Sequence, residues 1–298
     1  MYLVVGATGP VGLGGTICRL LRDRGEAVRA LVRPTASPSR VAELQRMGVE
    51  LVEGDLKNRA SLDSACHGAS AVVSTASVMV SRQAGDSVET VDENGQSNLV
   101  DAARAAGVES FVYVSFSRHI DRDFPFRNAK RAVERHLRQS GLTWTILRPT
   151  FYMELWLSPI AEFDFRNARA TIWGSGHNPI SWISFHDVAR FAVTSLGDDR
   201  ARNAVFELGG PEALSPLDVV GIFEGVGRRP FRLRHVSEAE LEAEEAAARD
   251  SFERSNAGLR RCYAAGDVVD MRETLASFPM RLTSVHDYAR RVFEAGTE

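Results

Sequence analysis

Apolar positions along the chain switch repeatedly between a run or alternation typical of strands and a spacing of three to four typical of helices. Tyr2-Leu3-Val4-Val5 is a short apolar, β-branched run, which predicts a strand. It breaks into Gly6-Ala7-Thr8-Gly9-Pro10-Val11-Gly12. From Thr16 to Arg24 the apolar residues recur at helical spacing and stop at Gly25. The same grammar predicts strands at Ala27–Val32, Val49–Glu53, Ala71–Ser77, Ser110–Ser115 and Thr143–Pro149. Helices over Ser39–Met47, Ser61–His67, Val88–Ala106 and Ala129–Gln139 separate these strands, and a glycine follows each helix. Such regular alternation predicts a Rossmann-type, doubly wound α/β fold with a mainly parallel sheet.

After Pro149 the pattern changes. Residues 151–176 are rich in aromatics: Phe151, Tyr152, Trp156, Phe163, Phe165 and Trp173. They read either as the lining of an apolar pocket for a planar ligand or as a core. Ser184-x-x-Asp187 ahead of Val188–Val193 marks a helix start, so His186-Asp187 is read as part of that start and not as a catalytic pair. Ala204–Leu208 reads as a returning strand, Ser215–Gly225 as a helix and Phe231–Val236 as a short strand. Glu238–Ser255 reads as one acidic helix with a solvated face, and Asp270–Ser277 and Ser284–Ala295 as further helices. The expected division is residues 1–150 with 185–210 as the sheet domain, and 151–184 with 211–298 as a smaller C-terminal substrate lobe.

Composition narrows the class. At 298 residues, 44% hydrophobic and 25% charged, the chain has the size and balance of a soluble enzyme. A net charge of −3 provides no basic excess for a nucleic acid. Cys18, Cys66 and Cys262 fit neither a disulfide framework nor a metal spacing, which points to a reducing, cytoplasmic setting. The apolar run at the start is too short for a signal segment, and no stretch approaches the ~20 apolar residues of a membrane span.

The candidate chemistry begins at the first turn. A strand followed by Gly6-x-x-Gly9-x-x-Gly12 and a helix is the opening of a dinucleotide-binding βαβ unit. Gly6 permits the tight turn, Gly9 lets backbone approach a pyrophosphate, and Gly12 lets the helix pack against the sheet. Thr8, Pro10 and Val11 complete the loop, whose amides face an anion at the helix start. Arg33 ends the second strand, where an acidic residue would hold the ribose 2′-hydroxyl of NAD. A guanidinium there suits a 2′-phosphate, so NADP(H) is expected in preference to NAD(H). Arg40 is a further phosphate candidate. Asp55-Leu56, at the end of the third strand, read either as an adenine contact or as a turn. Ala76 and Ser77 leave room for a ribose at the end of the fourth.

These features, with Ser115 on the fifth strand, Lys130 on the next helix and Leu147-Arg148-Pro149-Thr150, resemble an atypical short-chain dehydrogenase/reductase of the NmrA-like branch. The resemblance covers about the first 210 residues and extends through Ser181–Ala189. It implies Pro149 among the cofactor-binding residues. In the wider superfamily a Tyr-x-x-x-Lys pair works at the substrate, the tyrosine handling the proton and the lysine holding the nicotinamide ribose. Here the spacing is Phe126-x-x-x-Lys130, so that mechanism is lost as written. The resemblance then implies a lysine-centred site on Lys130. Ser115 reads as a carbonyl contact or a strand end, His119 as a proton relay or a solvated loop residue, and Tyr152 as a substitute hydroxyl or a packing residue. The expected activity is hydride transfer to a small carbonyl, quinone or enone. The alternative is an NADP(H)-binding redox sensor that signals through a protein partner; a sugar-nucleotide epimerase or dehydratase ranks below both.

Overall fold

The computed structural model describes residues 1–10 and 12–295. The described residues pack as two compact units: those within 1–115, 125–148 and 188–206 form one, and those within 116–124, 149–187 and 207–295 the other.

The first unit is built by the expected alternation: β1 (Tyr2–Val5), α1 (Leu13–Asp23), β2 (Val28–Val32), α2 (Pro38–Arg46), β3 (Glu50–Glu53), α3 (Arg59–Cys66), β4 (Ala71–Ser74), α4 (Asn94–Ala105), β5 (Ser110–Val114), α5 (Pro125–Gln139) and β6 (Thr143–Pro149). A π-wound turn over Val88–Glu93 runs directly into α4. The later elements are α6 (Met153–Trp156), β7 (Phe163–Asp164), β8 (Arg169–Trp173), α7 (Phe185–Ser195), β9 (Ala204–Leu208), α8 (Pro216–Gly227), β10 (Arg232–Val236), α9 (Glu238–Ala247), α10 (Ser251–Ala265), α11 (Arg272–Ser277) and α12 (Val285–Glu294).

The large sheet has the order β3-β2-β1-β4-β5-β6-β9, and β1 to β6 pair in parallel. The doubly wound fold read from the periodicity is therefore present. Its strands are continuous apolar runs because helices cover both faces; Leu3, Val4, Val72, Val73, Phe111 and Tyr113 are fully enclosed. Strand order reverses at β1, which has β2 on one side and β4 on the other. The register pairs Val5 with both Leu31 and Ser74, so the C-terminal ends of three strands open together at this switch point.

In the second unit a small sheet has the order β10-β8-β7; β7 and β8 lie within the stretch read only as aromatic-rich, and β10 falls where a short strand was expected at Phe231–Val236. Phe151, Trp156, Trp173, Trp182 and Tyr263 pack edge-on or stacked on one another at centroid distances of 4.9 to 6.3 Å. They are the core of that unit. The acidic stretch is not one helix: α9 ends at Ala247, and Asp250 caps a new helix by accepting from the Glu253 amide. The cysteines are free and buried, and burial pushes each thiol up to about 12. No helix of the described residues is long and apolar enough to cross a membrane.

Candidate functional site

The cleft at the switch point is lined by Gly6, Thr8 and Gly9 from the first turn, Leu31 from β2 and Arg33 just after it, Asp55 and Leu56 after β3, and Thr75, Ala76 and Ser77 after β4. It encloses ≈ 600 Å³, counting its open mouth. Residues chosen from four separate strand ends thus line one space. Pro10 and Gly12 flank it in sequence, and Val11 lies outside the described residues.

The turn shows why glycine is needed. Gly6 has φ +96, and a Cβ there would lie 2.6 Å from Thr75 Oγ1 and 2.8 Å from the Ala76 nitrogen. A further glycine, Gly14, also makes a close approach between helix and turn. Gly12 is the N-cap of α1, in the left-handed conformation, whereas a Cβ on Gly14 would sit 2.5 Å from the Gly6 oxygen. Gly14 therefore lets α1 press on the turn. No side chain caps α1 and its first turn holds no acid, so its leading amides suit an anion. A diphosphate fits this cradle by its donors and by the space that a Cβ would fill.

Two buried polar residues brace the cleft wall, and both escape a reading of the sequence for motifs. Gln96 donates from Nε2 to the Ala76 oxygen at 2.9 Å and accepts from Ser74 Oγ at 2.7 Å. Asp92 accepts from the Val78 amide at 3.0 Å and from the Ser77 hydroxyl. The signal was available: Asp92 and Gln96 fall on the stripe Val88, Val91, Gly95, Leu99 that packs inward, where polar residues need a reason.

Asp92 also faces Lys130. The Lys130 Nζ lies 3.8 Å from Asp92 Oδ1 and donates to the Val114 oxygen at 3.3 Å, with the Tyr113 and Phe126 rings 4.9 and 5.2 Å away. Burial lowers the Lys130 pKa, partly opposed by Asp92, while burial raises that of Asp92 against the pull of Lys130. Ser115, next along from Val114, donates to Glu134 Oε1 at 2.6 Å; Glu134 also accepts from Arg131 at 2.7 Å and from Arg148. So Lys130 and Ser115 meet at the end of β5 with their polar atoms already engaged.

Tyr152 and Pro149 fall in the second unit. Pro149 ends β6 and accepts the Ser117 amide, and the Tyr152 hydroxyl is buried with no hydrogen-bond partner. In the same unit, Asp267 accepts from Ser117 Oγ at 2.9 Å and lies 3.2 Å from His119 Nδ1, and its other oxygen is buried and unbonded.

The model of the NmrA-like family matches residues 2–256. The chain belongs to that family. This NmrA-like chain is 30% identical to an NAD(P)H azoreductase of Xenophilus azovorans over 234 residues, 78% of this chain and 76% of the relative. It is 27% identical to the photosystem II assembly factor Ycf39 of Synechocystis sp. over 304 residues, 98% of this chain and 90% of the relative. Its fold matches the Citrobacter sp. triphenylmethane reductase complexed with NADP(H) at a TM-score of 0.79 and 20% identity, covering 98% of this chain and 99% of that one.

Proposed function

We propose that this NmrA-like chain is an NADP(H)-dependent reductase that passes hydride to a small, planar or apolar acceptor: a carbonyl, quinone or enone. The observation that carries the proposal is the cleft itself, where a glycine cradle and Arg33 line one space and the cradle runs on into an uncapped helix start. The azoreductase relative and the triphenylmethane reductase fold match support the same class of chemistry. When bound, the nicotinamide supplies the hydride. The chain's part is to bind and orient. Amides from Gly6 to Gly9 and the start of α1 hold the diphosphate, Arg33 meets the 2′-phosphate, Asp55 and Leu56 border the adenine, and Ala76 and Ser77 leave space for a ribose. Lys130 takes the role of the missing tyrosine pair. Its desolvated ammonium releases its proton at Nζ more readily than an exposed lysine would. Ser115 and Tyr152 keep auxiliary assignments that Ser115→Ala and Tyr152→Phe test beside it.

A second reading has its own support. Phe126 supplies a ring where the pair needs a hydroxyl, Lys130 is enclosed, and one relative is named as an assembly factor. In that reading the chain binds NADP(H) without turnover and acts through a protein partner. Incubation with NADPH and a panel of quinones, azo dyes and aldehydes, followed by nicotinamide absorbance, separates the two. Turnover that Lys130→Ala abolishes supports the reductase. Tight, oxidation-state-selective binding with no turnover supports the partner-directed role.

A further inference from the structure

One wall of the cleft carries an ion cluster whose members are 53 and 29 positions apart in sequence. Arg33 Nη1 donates to Asp86 Oδ2 at 2.8 Å and its Nη2 to Ser81 Oγ at 2.8 Å. Lys57 Nζ donates to the other oxygen, Asp86 Oδ1, and the Gln83 amide donates to Oδ2 at 2.9 Å. The Asp86 side chain is fully buried, while Arg33 and Lys57 remain 22% and 30% exposed. Arg33 and Ser81 line the cleft, as does Asp55, whose carboxylate lies 3.9 Å from Lys57 Nζ. The two cations and two carboxylates cancel. Arg40 is turned elsewhere, to Glu43 at 3.4 Å and to the Pro10 oxygen at 3.3 Å.

We propose that Asp86 is a built-in stand-in for the cofactor's 2′-phosphate, and that the Arg33–Lys57 pair it bridges sets the choice between NADP(H) and NAD(H). The inference rests on the cofactor reading above and names the residues that tune it. One carboxylate with an oxygen on each of two cations reproduces the contacts that a phosphate monoester makes. A dianion competes for two cations better than a monoanion does. A dinucleotide lacking the phosphate leaves the bridge closed. One carrying it draws Arg33 and Lys57 off Asp86 and thereby slackens residues 81–86, which Arg33 and Asp86 hold in place. Selectivity then reflects an exchange of anions and not the addition of one.

The test is calorimetric titration of the full chain with NADPH and with NADH, for the wild type, Asp86→Asn and Lys57→Gln. Asp86→Asn should raise the NADPH-to-NADH affinity ratio about tenfold, and Lys57→Gln should lower it by a similar factor, the scale of one charged hydrogen bond. Hydrogen exchange over residues 79–88 of the wild type should quicken with NADPH and not with NADH. An unchanged or lowered ratio in folded Asp86→Asn overturns the proposal. Should Asp86→Asn fail to fold, a wild-type ratio in Lys57→Gln together with exchange that NADPH leaves unaltered overturns it equally. A wild type that binds NADPH in these experiments keeps the cofactor reading standing, whichever way the ratio moves. A wild type that binds neither nucleotide removes that reading and this proposal with it.

Discussion

Lys130 and Asp92 form an ion pair sealed from solvent, with Nζ 3.8 Å from Oδ1. The carboxylate joins this lysine to the cleft wall, because its second oxygen holds the Val78 amide. The π-wound turn over Val88–Glu93 carries Asp92 into that position, and such turns recur at functional sites.

Breaking this pair from one side leaves a buried charge. Asp92→Leu or Lys130→Met alone is expected to lower unfolding stability by about 3 kcal/mol. The double replacement Asp92→Leu with Lys130→Met should recover most of that loss, since no lone ion then remains. Urea unfolding of the wild type, both single variants and the double variant measures the coupling. A double variant as unstable as the sum of the singles would show that the two groups do not interact.

Glu134 predicts an acid limit. Burial pushes its carboxyl up, but Arg148, Ser115 and Arg131 outweigh that and hold it below the ordinary value of 4.5. A carboxylate with a lowered folded pKa stabilises the fold above the unfolded value, and the gain is lost as pH falls through the folded one. Stability should therefore drop steeply below pH 4.5 in the wild type. Glu134→Gln should be about 2 kcal/mol less stable at pH 7 and show a flatter acid limb. Denaturant midpoints from pH 3 to pH 8 provide the check.

Asp267 has the opposite sign. Burial raises its carboxyl from 3.8 to about 6, against the donors Ser117 and His119. Between those values the unfolded chain is ionised while the folded one keeps its proton, so this group's contribution falls as pH rises through the window. Asp267→Asn should stabilise the protein at pH 8 and change it little at pH 4. Melting temperatures at the two pH values decide it; an equal shift at both would contradict the assignment.

Two helix glycines should behave in opposite ways. Gly14→Ala drives a Cβ to 2.5 Å from the Gly6 oxygen and 2.8 Å from Ala7 Cα, both backbone. A loss of about 3 kcal/mol is expected, with weaker nucleotide binding because the turn must shift. Gly221 sits inside α8 with nothing within 4 Å of a Cβ, so Gly221→Ala should gain up to about 1 kcal/mol. Thermal melts of the two variants test the pair.

Much of this was legible in the sequence because it is local. Strand runs, helical spacing and glycine stops fixed the alternation, and the doubly wound sheet follows from it. The glycine turn, Arg33, Asp55 and Ala76 could be assigned to strand ends, and strand ends meet at a switch point. What stayed hidden depends on contact across the chain. Asp86 sits in an irregular loop, and nothing in its neighbourhood announces Arg33 or Lys57 as partners. Gly14 falls outside the glycine spacing, and only the packed turn shows that it too makes a close approach. The two-residue β7 and its neighbour β8 carry too little periodicity to separate from an aromatic core. The break between α9 and α10 is set by the Asp250 cap within a stretch of uniform helix-forming composition.

The cysteines carry a last consequence. Cys18, Cys66 and Cys262 are enclosed and their thiols are pushed to about 12, so almost none is thiolate near neutrality. Peroxides and alkylating reagents therefore find no reactive thiol on the folded chain.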